Sequence, residues 1–235
     1  MKKSAHHVPV LDAAALSYRP AGRFAWQFAR GKLGGDPAFR ALLERRLVRD
    51  GTLLDLGCGQ GLLAAWLLAA RDRFEAGSRE DDRPVPPRLA AITGIELLPA
   101  DVRRARRALG NRAEFVVGDI RTTAFPRADT VAILDVLHYI PIAEQDAVLR
   151  RVRAALNPSG VLLLRIGDAG AGFGFHYSNW VDRSVMLVKG HGWNPLYCRS
   201  LAEWKTALAQ LGFDVESQPM SEGTPFANVL LVART

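Results

Sequence analysis

Residues 53–61 read L-L-D-L-G-C-G-Q-G and constrain the fold more than any other stretch. An apolar run, 52–56, enters a turn with glycines at 57, 59 and 61, and helix-forming residues 62–70 follow without a gap. Strand, tight turn, helix is the expected order, because glycine permits the sharp bend and leaves bare backbone for a small ligand to approach. Asp55 falls inside the apolar strand, two residues before the first glycine. A carboxylate buried there is costly unless it has a partner or a task.

Hydrophobic period and turn residues continue the alternation along the chain. Strands are expected at 90–96, 113–119, 130–135 and 161–166, and helices at 100–109, 143–156 and 201–211. Two closing strands, 213–218 and 227–233, are expected as an antiparallel pair at the sheet edge. The pattern predicts an α/β, doubly wound (Rossmann-like), mostly parallel seven-stranded sheet with helices on both faces and antiparallel last strands. Residues 1–50, broken at Arg19-Pro20 and at Gly34-Gly35-Asp36-Pro37, read as an N-terminal helical lid. The main domain is then 51–235, with an insertion at 167–200. Residues 71–88, charged and proline-rich, read as an exposed loop.

With 49% hydrophobic residues over 235 positions, the chain can bury a full core. No apolar run approaches the ~20 residues that span a bilayer. Lys2 and Lys3 have no apolar stretch behind them, so a cytoplasmic protein without a secretory leader is expected. Two cysteines, Cys58 and Cys198, exclude a disulfide framework or a cysteine-built zinc site, and no metal is expected. The net charge of +7 comes from scattered basic residues. It reads as a solvated surface, which makes nucleic acid an unlikely partner.

Doubly wound sheets bind ligands at the carboxyl ends of their strands. Glu96, Asp119 and Asp135 close the second, third and fourth strands. Together with the glycine turn they resemble the class I S-adenosylmethionine-dependent methyltransferases, over residues 51–166. The resemblance implies S-adenosyl-L-methionine as cofactor. Gly57, Cys58, Gly59 and Gly61 would bring backbone to its methionine portion, and Asp55 would support that loop or meet the ligand's ammonium. Glu96, with Leu97 beside it, would accept from the ribose hydroxyls, a task suited to a group with acceptors and no donor. Asp119 would accept from the adenine amino group while Ile120 packs on the ring, and Asp135 would flank the methionine. An NAD(P)-dependent oxidoreductase is the nearest alternative, but its G-x-G-x-x-G spacing differs: the third glycine here comes one position early.

Residues 167–200 follow the fifth strand and carry Phe173, Phe175, His176, Tyr177, Trp180, His191, Trp193 and Tyr197. These aromatics either line an acceptor pocket or pack the loop onto the sheet, and the residues alone leave both open. A phenolic acceptor would need a base, and His138 and His176 are the catalytic candidates. Tyr18, Arg23, Tyr139, Tyr177 and Trp180 are the candidates for holding the acceptor. The tetrapeptide Asn194-Pro195-Leu196-Tyr197 follows the fifth strand rather than the fourth, and reads as a turn rather than a DNA amino-methylation motif. Residues 18–43, 179–192 and 219–232 are similar to methyltransferases of bacterial aryl polyene pigment pathways. The expected function is methyl transfer to a small aromatic or acyl-type molecule. A nucleic-acid methyltransferase and a catalytically silent scaffold of the same fold are the alternatives.

Overall fold

A computed structural model of the chain describes residues 8–77, 85–167, 196–221 and 228–235. Three helices come first: α1 (Val8–Leu16), α2 (Arg23–Gly35) and α3 (Pro37–Glu44). Asp36 caps α3 by accepting from the Ala38 N–H, and Pro37 takes the first helical position, where its missing N–H costs nothing. Then follow β1 (Gly51–Leu56), α4 (Leu62–Glu75), β2 (Leu89–Glu96), α5 (Pro99–Leu109), β3 (Glu114–Val117) and β4 (Ala128–Leu134). The chain closes with α6 (Ile142–Ala155), β5 (Leu156–Gly167), α7 (Leu201–Gln210), β6 (Asp214–Pro219) and β7 (Asn228–Arg234). A full capping box, Ser200 with Glu203, starts α7.

The seven strands lie in the order β3-β2-β1-β4-β5-β7-β6. The first five are mutually parallel, and β7 runs antiparallel to both its neighbours. The closing strands form the expected antiparallel pair at one edge of the sheet, with β7 beside β5 and β6 outermost. Strand alternation sends Leu53 to the face covered by α1–α5, and Leu54 and Leu56 to the face covered by α6 and α7. On the first face, α4 is buried nearly all round, because α1–α3 form a further layer over it. Phe39 of α3 meets Trp66 of α4 with ring centroids 6.4 Å apart.

Three sequence expectations shift. Helix α4 runs on to Glu75, so only part of 71–88 is a connection. Residues 157–160, Asn-Pro-Ser-Gly and outside the strand expected at 161–166, are drawn into β5, where the pairing slips between Ala128 and Thr130 and Ser159 takes φ +60°. β3 ends at Val117, two residues before Asp119. Among the described residues no helix is long and apolar enough to cross a membrane, and no cluster of side chains could hold a metal.

Candidate functional site

The glycine turn is built as its residues dictate. Gly57, Gly59 and Gly61 all have positive φ, at 73°, 55° and 75°. The Gly57 and Cys58 N–H groups both donate to the Ile95 carbonyl, pinning the turn to the end of β2. A side chain at Gly57 would overlap Val136, and one at Gly61 would come within 2.7 Å of the Phe115 ring. Gly59 differs, because a Cβ there would meet nothing within 4 Å. Its missing side chain opens onto a cavity of about 570 Å³ at the carboxyl ends of the parallel strands. We expect Gly57→Ala to cost several kcal/mol of stability through this overlap. Gly59→Ala should fold with a loss of about 1 kcal/mol and instead fill the cavity. Urea unfolding of both variants checks the contrast.

Glu96 reaches over this turn. Its two carboxylate oxygens accept separately from the Gly59 and Leu98 N–H groups, at 2.9 Å each. Each oxygen keeps a lone pair for a ligand hydroxyl. Asp55 is buried beside it, and among the described residues no hydrogen-bond donor reaches its carboxylate. Burial, and then the negative charge of Glu96, push its pKa up to about 7. Cys58 lines the same wall; burial and the flanking carboxylates raise its thiol pKa well above the usual value, which makes it inert.

The opposite wall holds a buried ion network. Arg165 of β5, 3% exposed, makes a two-pronged bond to Asp135 and reaches Asp36 at 2.5 Å. Lys32 binds Asp36 at 2.9 Å and lies 4.0 Å from Asp135. Burial would raise both acids, but the Arg165 charge and hydrogen bonds, helped by Lys32, hold them below the ordinary carboxylate value. Asp135 takes a left-handed conformation at φ +59° immediately after β4. The 3₁₀ turn that follows, Leu137–Tyr139, is tied down by the buried Gln145 amide, which donates to the Leu137, Ile140 and Tyr197 carbonyls.

Of the residues assigned to the cofactor, Asp55, Gly57, Cys58, Gly59, Glu96, Leu97, Asp119, Ile120 and Asp135 all line the cavity, and Gly61 sits behind it as the N-cap of α4. The Asp119 carboxylate is gripped by the Arg121 guanidinium, its first cause of a lowered pKa, and Arg121 also bonds Glu144. Tyr139 lines the cavity. Tyr18 and Arg23, assigned to the acceptor, lie off it. Tyr18 is fully buried, and its hydroxyl donates to the Gln60 carbonyl at 2.7 Å, bracing the glycine turn from behind. Arg23 is exposed at the start of α2. His138 also lies off the cavity lining and packs against Tyr139 at 4.1 Å between ring centroids. His176, Tyr177 and Trp180 lie outside the described residues. Sequence reasoning missed Phe28, Lys32, Phe39, Arg121 and Arg165, all of which line the cavity.

A sheet ordered 3-2-1-4-5-7-6, with a glycine turn after β1 and an acid at the tip of β2, defines a class I S-adenosylmethionine-dependent methyltransferase. The model of the methyltransferase domain family matches residues 27–218, and the chain belongs to that family. It is 34% identical over 128 residues to the carboxy-S-adenosyl-L-methionine synthase of Chromohalobacter salexigens, covering 52% of this chain and 42% of that protein. To the protein of the same name from Klebsiella pneumoniae it is 27% identical over 191 residues, 74% of this chain and 72% of that one. The chain spans less than two thirds of the length of the Chromohalobacter protein, at 42%, and of the protein of the same name from Psychrobacter arcticus, at 64%. In fold it is similar to the magnesium protoporphyrin IX methyltransferase of Synechocystis, solved with bound SAH, at TM-score 0.59 and 18% identity over 90% of this chain and 87% of that one. It is similar too to an S-adenosylmethionine-dependent methyltransferase from Mesorhizobium loti, at TM-score 0.60 and 21% identity, covering 85% and 96% of the two chains.

Proposed function

We propose that this chain transfers the methyl group of S-adenosylmethionine to a small aromatic or acyl-type acceptor. The observation that carries the reading is the Glu96–Gly59 pair: a carboxylate held by two backbone N–H groups beside a glycine whose missing side chain is cavity. Glu96 then takes the ribose hydroxyls and Asp55 the ammonium. Asp119 shares its oxygens between Arg121 and the adenine amino group. Five carboxylates against three cations line the cavity, which suits a cationic cofactor. Bound there, S-adenosylmethionine supplies an electrophilic methyl. The chain's part is alignment and exclusion of water, and Phe28, Phe39, Tyr139 and Ile140 give an apolar wall for the acceptor.

The relatives' name raises a second reading, conversion of the cofactor itself to its carboxylated form. A further carboxylate needs a cation to meet it. Among the described lining residues Lys32, Arg121 and Arg165 are each bonded to an acid already. That charge balance favours methyl transfer.

Calorimetry should show S-adenosylhomocysteine binding in the micromolar range, weakened at least tenfold by Glu96→Ala, whose two ribose hydrogen bonds are worth that much. Absence of binding to the folded protein would reject the cofactor site. Mass spectrometry of reactions with labelled methyl donor then separates a methylated metabolite from a carboxylated cofactor.

A further inference from the structure

A second recess lies away from the cofactor cavity, between α1, α2 and α4, with a volume of about 600 Å³. We propose that it binds a phosphate-bearing nucleotide, free or within a polynucleotide chain. Arg19, Arg30 and Arg73 all line it, and Asp12 is the single carboxylate among its lining residues. None of these arginines makes an ion pair among the described residues, whereas both arginines that line the cofactor cavity do. The Nε of Arg73 is buried with no hydrogen-bond partner, a donor already desolvated and without an acceptor. Three unneutralised guanidinium groups at one recess repel each other, and an anion removes that repulsion. Phosphate suits them, because the planar fork matches its oxygens.

The rest of the lining fits a base and sugar. Trp26 presents its ring with the Arg19 guanidinium 5.1 Å from its centroid, an aromatic and cationic platform of the kind on which bases stack. Val8 and Leu16, both about half exposed, give the recess an apolar rim on α1. The volume lies within the ~300–1,000 Å³ typical of small-ligand sites. Trp26 and Arg30 stand four residues apart on α2, so ring and charge share one face.

The test uses uridine diphosphate and a decauridylate as probes, because a pyrimidine does not compete for a site that takes adenosine. At low ionic strength, calorimetry should show saturable binding to the full chain, weakened about tenfold or more in Arg30→Gln/Arg73→Gln, whose thermal melt should match wild type. Trp26→Leu should weaken it without changing the salt dependence. Decauridylate binding much more tightly than the diphosphate, with a steep salt dependence, supports a polynucleotide as occupant; equal affinities support a free nucleotide. No saturable binding of either probe, or unchanged binding in the double arginine variant, overturns the proposal. None of the three residues lines the cofactor cavity, so S-adenosylhomocysteine affinity is unaffected in every case.

Discussion

Arg165→Met should destabilise the protein by about 3–5 kcal/mol, the usual cost of removing one partner from a buried ion pair. The guanidinium is 3% exposed and stands between Asp36, 8% exposed, and Asp135. Without it the two acids are left with Lys32, itself 42% exposed and therefore weakly effective. Both carboxyls have folded-state pKa values below the ordinary 3.8. Their stabilisation is present above that value and is lost as pH falls through the folded one, so wild type should lose it in acid. In the variant the two acids repel, one takes up a proton, and the deficit shrinks from pH 8 to pH 5. Urea unfolding at both pH values measures this. The triple variant Asp36→Asn/Arg165→Met/Asp135→Asn removes the stranded charges and should recover much of the loss. A single variant within about 1 kcal/mol of wild type would show that the network does not hold α3 to the sheet.

The same network shows how far the site was legible in the sequence. Asp55 stands out in the sequence because a carboxylate interrupts L-L-D-L; Arg165 interrupts V-L-L-L-R-I in the same way. The signal is there for the base as for the acid, but a search of strand ends for acids passes over it. Lys32 and Asp36 stand at helical spacing, yet nothing local says that α2 and α3 fold back against β5. That contact spans 129 residues between Asp36 and Arg165. The place of Tyr18 is hidden for a related reason: its hydroxyl partner is a backbone carbonyl 42 residues away, invisible to any pattern of side chains. The parallel sheet and its turn were legible because both rest on local period and on glycine, whereas the place of β7 rests on long-range pairing.

Asp55→Asn should stabilise the ligand-free protein by about 2–4 kcal/mol at pH 8, with little effect at pH 4. The folded pKa of about 7 lies above the unfolded 3.8. Between those values the folded state keeps a proton that the unfolded chain has released, so stability falls as pH rises through the window. The gap between 3.8 and about 7 bounds the effect at ~4 kcal/mol. Asparagine removes the charge and with it the pH dependence. A ligand ammonium reverses the balance, because it favours the carboxylate. S-adenosylhomocysteine should therefore bind wild type about tenfold more tightly at pH 8 than at pH 6. The variant, having no carboxylate to offer, should bind weakly and with a flat profile. Thermal melts across pH 4–8, with and without the ligand, give both quantities at once. Parallel wild-type and variant curves in the absence of ligand would mean that Asp55 is ionised in the fold at no cost. Equal ligand affinities would remove it from the ammonium.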